Sequence, residues 1–199
     1  MDLVAQDPAS YLGYDEVVDG EHPAVRALAA ELRATNRDDA HYAQAAFEWV
    51  RDNVLHSFDV QDRRVTLTAS EALRERVGLC YAKAHLLAAL LRAEDIPAGL
   101  CYQRRFDGAT GGHALHGLVA VYLDGAWHRQ DPRGNKPGVD AQFSLHQEQL
   151  AWPVDPAEGE VDYPTVFVAP APEVVDSLRG TDDVLILYKQ GLPSTLSGR

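Results

Sequence analysis

Cys80, His116 and Asp131 are residues of the types that nucleophilic catalysis requires. A cysteine attacks a carbonyl carbon as its thiolate, and an imidazole can exchange a proton with that thiol. A carboxylate orients the imidazole and favours its cationic form. Arg133 and Asn135 follow closely and are candidate substrate contacts, although ordering the Pro- and Gly-rich loop around them is the simpler interpretation.

The sequence after Cys80 predicts a helix with this thiol at its N-terminus. The apolar residues at helical spacing are Ala82, Leu86, Leu87, Leu90 and Leu91. Gly78 permits a tight bend into the first turn, and Ile96-Pro97 ends the element. A thiol in this position lies where unpaired backbone N–H groups and the helix dipole favour the anionic form.

A β-hairpin is predicted at Asp124-Gly125, a two-residue turn signal between apolar runs. The turn pairs Leu123 with Ala126 and, further along the same register, Leu118 with Asp131. Side chains alternate along a strand, so His116 and Asp131 share one face and are diagonal neighbours roughly 7 Å apart at the backbone. His128 points to the other face.

Other histidines and the second cysteine provide alternatives. His113 lies three residues before His116, and a one-residue bulge would exchange the faces of the two. His85 falls inside the predicted helix and is expected to be packed. Cys101 is expected to be a small buried hydrophobe rather than a disulfide partner. A zinc site formed by Cys80, Cys101, His113 and His116 lacks a paired-cysteine motif, although the residue types suit the metal.

Composition limits the classes of function. The chain has 199 residues, 46% of them hydrophobic, and 18 Lys plus Arg against 30 Asp plus Glu, giving a net charge of −12. An acidic protein of this kind is not expected to bind nucleic acid or an anionic membrane. The first twenty residues lack the basic start and apolar middle of a secretion signal, so we expect a cytoplasmic protein. The length suits a single domain over residues 1–199.

The remaining sequence predicts elements that support these residues. Helices are expected from Pro23, from Asp38 or Asp39 to about Val54, after a cap at Ser70, and from about Pro172. In residues 1–20 the apolar residues show no regular spacing, and we expect this segment to cross the surface.

Four segments together resemble the core of the transglutaminase-like superfamily, and in particular its bacterial transglutaminase-domain proteins. They are Gly78-Leu-Cys80-Tyr-Ala-Lys, Ile96-Pro97, His116-Gly117-Leu-Val and Trp127-His-Arg-Gln-Asp131-Pro. The resemblance covers roughly residues 45–140. It implies a papain-like α+β fold in which the nucleophile helix packs on an antiparallel sheet. By position, it implies that Cys80 is the nucleophile, His116 the general base and acid, and Asp131 the orienting carboxylate.

The resemblance also implies a reaction, namely acyl transfer at a Gln carboxamide, peptide or isopeptide bond of a peptide, protein or small amide. Hydrolysis is favoured over crosslinking because most bacterial relatives are expected to be hydrolases. No cofactor or metal is expected. The oxyanion of the reaction can be bound by the Cys80 backbone N–H and by a second donor from residues 56–61. The alternative is a non-catalytic peptide-binding module on the same fold, and the oligomeric state is left open.

Overall fold

The computed structural model describes residues 1–108 and 110–197, so residues 109, 198 and 199 of the predicted domain lie outside the described residues. The helices are α1 (Pro23–Thr35), α2 (Asp39–Asn53), α3 (Ser57–Val60), α4 (Ala69–Glu75), α5 (Cys80–Arg92), α6 (Pro172–Arg179) and α7 (Val184–Gln190). The strands are β1 (Leu55–His56), β2 (Val77–Gly78), β3 (Ala98–Asp107), β4 (Gly112–Leu123), β5 (Ala126–Gln130) and β6 (Val161–Asp162). The predicted α+β class is confirmed.

Helix α5 is the centre of the fold. Each of its residues from Cys80 to Arg92 is buried, because α1, α2 and α4 contact it on one side and β3 and β4 on the other. The polar side chains of α5 bind backbone carbonyl groups. Lys83 donates to the carbonyls of Arg51 and Val54, and the His85 ring bonds to that of Leu67. Arg92 donates to the carbonyls of Ala98, Gly13 and Val168. Buried polar groups that find such partners do not weaken the core.

The predicted start of this helix is confirmed at Cys80, and Gly78 lies in the strand before it. The reason for a glycine there differs from the expected one. Its φ is not in the left-handed region. A Cβ at Gly78 would instead lie 2.7 Å from Thr66 Oγ1 and 2.9 Å from Ala82 Cβ. Close packing, rather than a special turn, therefore requires the glycine.

The main sheet has the order β5-β4-β3-β6, and its paired strands are antiparallel. The predicted hairpin register is confirmed, since Leu123 pairs with Ala126 and Val119 with Gln130. Asp124 and Gly125 have φ values of 51° and 79°, as a two-residue turn of the hairpin type requires. Strand β5 ends at Gln130, whereas β4 extends well beyond the point opposite that residue.

The two faces of this sheet are covered differently. The face that meets α5 contributes Leu100, Tyr102, Leu115, Val119 and Val121 to the main core. The other face carries Cys101, Leu118 and Ala120, which pack with Tyr11, Trp127 and Val166. The expectation that residues 1–20 only cross the surface was wrong for Tyr11, Val17 and Val18, which are buried. The Tyr11 hydroxyl donates to the Val166 carbonyl at 2.9 Å.

The C-terminal region lies beside Cys80 and His116. The predicted helix from Pro172 is α6, while α7 was not predicted as a helix and is capped by the Asp183 side chain. Helix α7 contacts α3 through Phe58 and Tyr188, whose rings stack at 4.2 Å. Of the described helices, none has the length and apolar character needed to cross a bilayer.

Gly117 is where the first turn of α5 meets β4. A Cβ there would lie 3.0 Å from Tyr81 Cδ1 and 3.4 Å from Tyr81 Cα. We expect Gly117→Ala to lower the free energy of unfolding by about 1–3 kcal/mol, because the helix start must move to admit the methyl group. Urea denaturation measures this.

The matched control is Gly112→Ala in the same strand, where the nearest atom to the added Cβ is Thr110 Oγ1 at 3.8 Å. This variant should be neutral or slightly stabilising. Equal losses in both variants would contradict the assigned role of the Gly117 contact.

Candidate active site

A cavity of about 260 Å³ opens beside the N-terminus of α5. Residues distant in sequence meet there, because α5, the β1–β2 pair and the end of β5 converge on the edge of β4. Its lining includes His56, Cys80, Arg105, His116, Arg133 and Trp152. Asp131 is fully buried against His116.

The Cys80 thiol lies at an edge of β4 that β5 leaves unpaired. In the hairpin register the partner of Gly117 would be Pro132, which lies beyond the end of β5. The Gly117 N–H donates instead to Cys80 Sγ at 3.4 Å. Leu79, the N-cap residue of α5, makes no side-chain cap, so backbone N–H groups of the first turn are left for other partners.

His116 and Asp131 form a buried pair across the two strands of the hairpin. His116 Nε2 and Asp131 Oδ2 are 2.8 Å apart, and the two residues are 7% and 0% exposed. Asp131 also accepts hydrogen bonds from the backbone N–H groups of Arg133 at 3.1 Å and Ala151 at 2.9 Å. Because Nε2 is engaged by the carboxylate, Nδ1 is the nitrogen of His116 that is left for the thiol.

Electrostatics favour the charged form of this pair. Burial of His116 opposes a cation, but the Asp131 carboxylate and the neighbouring Cys80 outweigh it and raise the pKa of His116 to about 10. Burial likewise opposes the charge on Asp131, and the attraction and hydrogen bond of His116 hold the pKa of that carboxyl below its usual value. Both shifts favour an imidazolium and a carboxylate next to Cys80.

Trp152 covers this pair and was not identified from the sequence. Its ring meets the His116 ring edge to face, with centroids 5.4 Å apart. The guanidinium groups of Arg105 and Arg133 lie 5.6 Å and 5.2 Å from the Trp152 ring centroid. The residue stands in an irregular segment about twenty positions beyond Asp131, where no periodic pattern or turn signal indicates a contact with the hairpin.

The two candidate substrate contacts have different surroundings. Arg133 is buried in the cavity wall, and its guanidinium bonds to the Asp59 carboxylate at 2.5 Å and 2.9 Å. Asn135 is exposed and outside this cavity, and its side chain accepts from the Ala141 N–H at 2.7 Å. Asn135 thus orders the loop, in agreement with the simpler of its two interpretations.

The alternative histidines and the second cysteine are held elsewhere. His113 pairs with Phe106 and His116 with Gln103 in one unbroken register, so alternation puts the two histidines on opposite faces. In each of the alternative histidines a ring nitrogen bonds to a backbone carbonyl. His113 bonds to the carbonyl of Glu158, His85 to that of Leu67, and His128 to that of Leu123. Burial raises the pKa of the Cys101 thiol to about 12.

The zinc alternative finds no support in the described part of the chain. Over residues 1–108 and 110–197, no group of three or more His, Cys, Asp or Glu side chains is arranged to hold a metal ion. Cys101 packs with Leu118 and Ala120 on the sheet face opposite α5, and His113 is bonded to a backbone carbonyl.

Similarity to solved structures extends over part of the chain. A candidate cysteine protease from Cytophaga hutchinsonii superposes with a TM-score of 0.54 at 22% identity, covering 65% of this chain and 43% of that protein. The periplasmic domain of TgpA from Pseudomonas aeruginosa gives a TM-score of 0.47 at 24% identity, covering 63% of this chain and 49% of that domain. The chain thus spans less than half the length of each. No curated protein matches it.

Family membership is decided by the sequence model of the transglutaminase-like superfamily core. The model matches residues 26–132, a range that begins in α1 and includes Cys80, His116 and Asp131. This match begins earlier than the roughly 45–140 expected from the motifs. Because the match covers more than half of its length, this chain belongs to the transglutaminase-like superfamily.

Proposed function

We propose that the protein is a cysteine-dependent enzyme that transfers or hydrolyses the acyl group of an amide, with a peptide, protein or small amide as substrate. The observation that carries the proposal is the buried His116–Asp131 pair, 2.8 Å between Nε2 and Oδ2, beside Cys80 in one cavity. Membership of the transglutaminase-like superfamily supports a cysteine enzyme.

The proposed reaction begins when Cys80 Sγ attacks the amide carbonyl carbon. A sulfur–carbon bond forms and the π electrons of the carbonyl move to its oxygen. When the carbonyl re-forms, the carbon–nitrogen bond breaks and His116 gives its proton to the leaving nitrogen. Water then attacks the thioester and loses a proton to His116, releasing the acid and the thiolate. Asp131 orients the ring throughout.

Hydrolysis is proposed over crosslinking because of the space around His116. The cavity of about 260 Å³ is small for a ligand site, and Trp152 lies against the edge of the His116 ring. Water reaches a thioester in such a site more readily than the lysine of a second protein.

Incubation with a glutamine-rich protein and a fluorescent primary amine tests this preference. We expect release of ammonia or cleavage products, with little amine incorporated, and no release from Cys80→Ala. Fluorescence of the separated protein and an ammonia assay give the two rates. Incorporation of the amine that outpaces hydrolysis would instead indicate a crosslinking enzyme.

Alkylation with iodoacetamide tests the nucleophile without knowledge of the substrate. We expect Cys80 to react selectively well below the pKa of a free thiol, about 8.5. Cys101 serves as the internal control, since burial and its raised pKa of about 12 keep it unreactive. Peptide mapping after labelling between about pH 5 and about pH 9 measures both rates.

Replacement of His116 by Ala should remove the low-pH reaction of Cys80, because the imidazolium that stabilises the thiolate is lost. Slow labelling of Cys80 only above about pH 8 in the unmodified protein would contradict the proposal. A biological effect that persists in Cys80→Ala would favour the peptide-binding module.

The ion pair also predicts how stability depends on pH. The pKa of His116 is raised from 6.5 to about 10, so its contribution is fully present below about pH 6.5 and is lost as the pH rises through about 10. We expect the difference in free energy of unfolding between the unmodified protein and Asp131→Asn to shrink over that range. Each tenfold change in the proton affinity of the imidazole corresponds to about 1.4 kcal/mol. Urea denaturation at several pH values measures it, and a pH-independent difference would contradict the charged pair.

A further inference from the structure

Buried polar atoms without hydrogen-bond partners lie in the wall of the cavity and directly beside it in the sequence. Among the described residues, His56 Nδ1, Ser57 Oγ and Arg133 Nε have no accessible surface and no hydrogen bond. Native proteins pair nearly all such atoms, so an unpaired group beside a reactive side chain calls for a functional explanation. His56 and Arg133 both line the cavity that contains Cys80.

The fold holds His56 close to the thiol. Strand β1 pairs with β2 in parallel, so that His56 lies opposite Gly78, two residues before Cys80. Helix α3 begins immediately afterwards at Ser57, which fixes the chain on the other side. His56 is only 9% exposed. His56 lines the cavity, and its Nδ1 is buried.

The surroundings of His56 favour its neutral ring. Burial, followed by the positive charge of Arg133, holds the pKa of His56 well below its usual value. A neutral imidazole has one N–H donor and one acceptor nitrogen. With its proton on Nε2, the neutral ring presents an N–H donor. His56 thus resembles a fixed donor more than a base.

We propose that His56 is a catalytic residue whose Nε2–H donates a hydrogen bond to the substrate carbonyl oxygen as Cys80 attacks. The inference rests on the proposed function and identifies the second donor of the oxyanion site, next to the backbone N–H of Cys80. The donor stabilises the negative charge that forms when the sulfur–carbon bond is made, and it transfers no proton. A preorganised donor of this kind acts mainly on the transition state.

Two small reagents separate this role from activation of the thiol. Acetylation of Cys80 by p-nitrophenyl acetate passes through an oxyanion, whereas alkylation by iodoacetamide is a direct displacement and does not. Both are small enough to react without recognition of a natural substrate. The release of p-nitrophenolate and the mass of the modified Cys80 peptide give the two rate constants in the full chain.

His56→Phe keeps the ring shape and removes the donor. We expect its acetylation rate to fall about 100-fold, with alkylation changed by less than about 3-fold. His56→Gln, which restores an N–H donor, should recover acetylation to within about 10-fold of the unmodified protein. His128→Phe is the matched control, since His128 is bonded to the Leu123 carbonyl outside the cavity and should leave both rates unchanged.

Equal falls in acetylation and alkylation, or no fall in either, would overturn the assignment of His56. If His56→Phe does not fold, His56→Met makes the same comparison, because its flexible apolar side chain fills irregular space without a donor. Failure of the proposed function gives a different result: Cys80 of the unmodified protein would then be neither acetylated nor alkylated in preference to Cys101.

Discussion

The buried pair of His116 and Asp131 is the interaction on which the site depends. Removing two charges from water costs several kcal/mol per ion, and only good geometry with further hydrogen bonds offsets that cost. Asp131 meets this requirement through backbone N–H groups of Arg133 and Ala151 as well as the imidazole. The end of β5 and the segment that carries Trp152 must therefore be fixed before the pair is stable, which ties this pair to the long-range fold.

Because β5 is shorter than β4, the Cys80 thiol can reach the edge of β4. His116 and Asp131 follow the alternation of the sheet face that carries Leu118, whereas α5 packs on the opposite face. If β5 paired with the whole length of β4, the sheet would separate Cys80 from His116 and Asp131. Because β5 ends at Gln130, the Gly117 N–H at the edge of β4 has no partner on β5 and donates to Cys80 Sγ. The glycine removes the side chain that would otherwise meet Tyr81 in the first turn of α5.

Much of this arrangement could be predicted because its signals are local. The helical spacing after Cys80 and the two-residue turn at Asp124-Gly125 each act over a few residues, and the turn determines which side chains pair along the hairpin. Trp152 could not be found in this way, and His56 was indicated only as part of residues 56–61. Their positions depend on a loop crossing the sheet and on a two-residue parallel bridge between β1 and β2, neither of which has a periodic pattern. Tyr11 was missed for the same reason, since a single buried aromatic residue in an irregular segment produces no repeating pattern of apolar residues.

The charges near the cavity differ from those of the chain as a whole, whose net charge is −12. Arg105, Arg133 and His116 all lie around Trp152. The arginines are bonded to Glu160 and Asp59, which keeps their guanidinium groups in place and limits direct ion pairing with the thiol. Both the thiolate and the oxyanion of the proposed reaction are negative. Fixed cations that line the site stabilise such charges without having to reorient as the reaction proceeds.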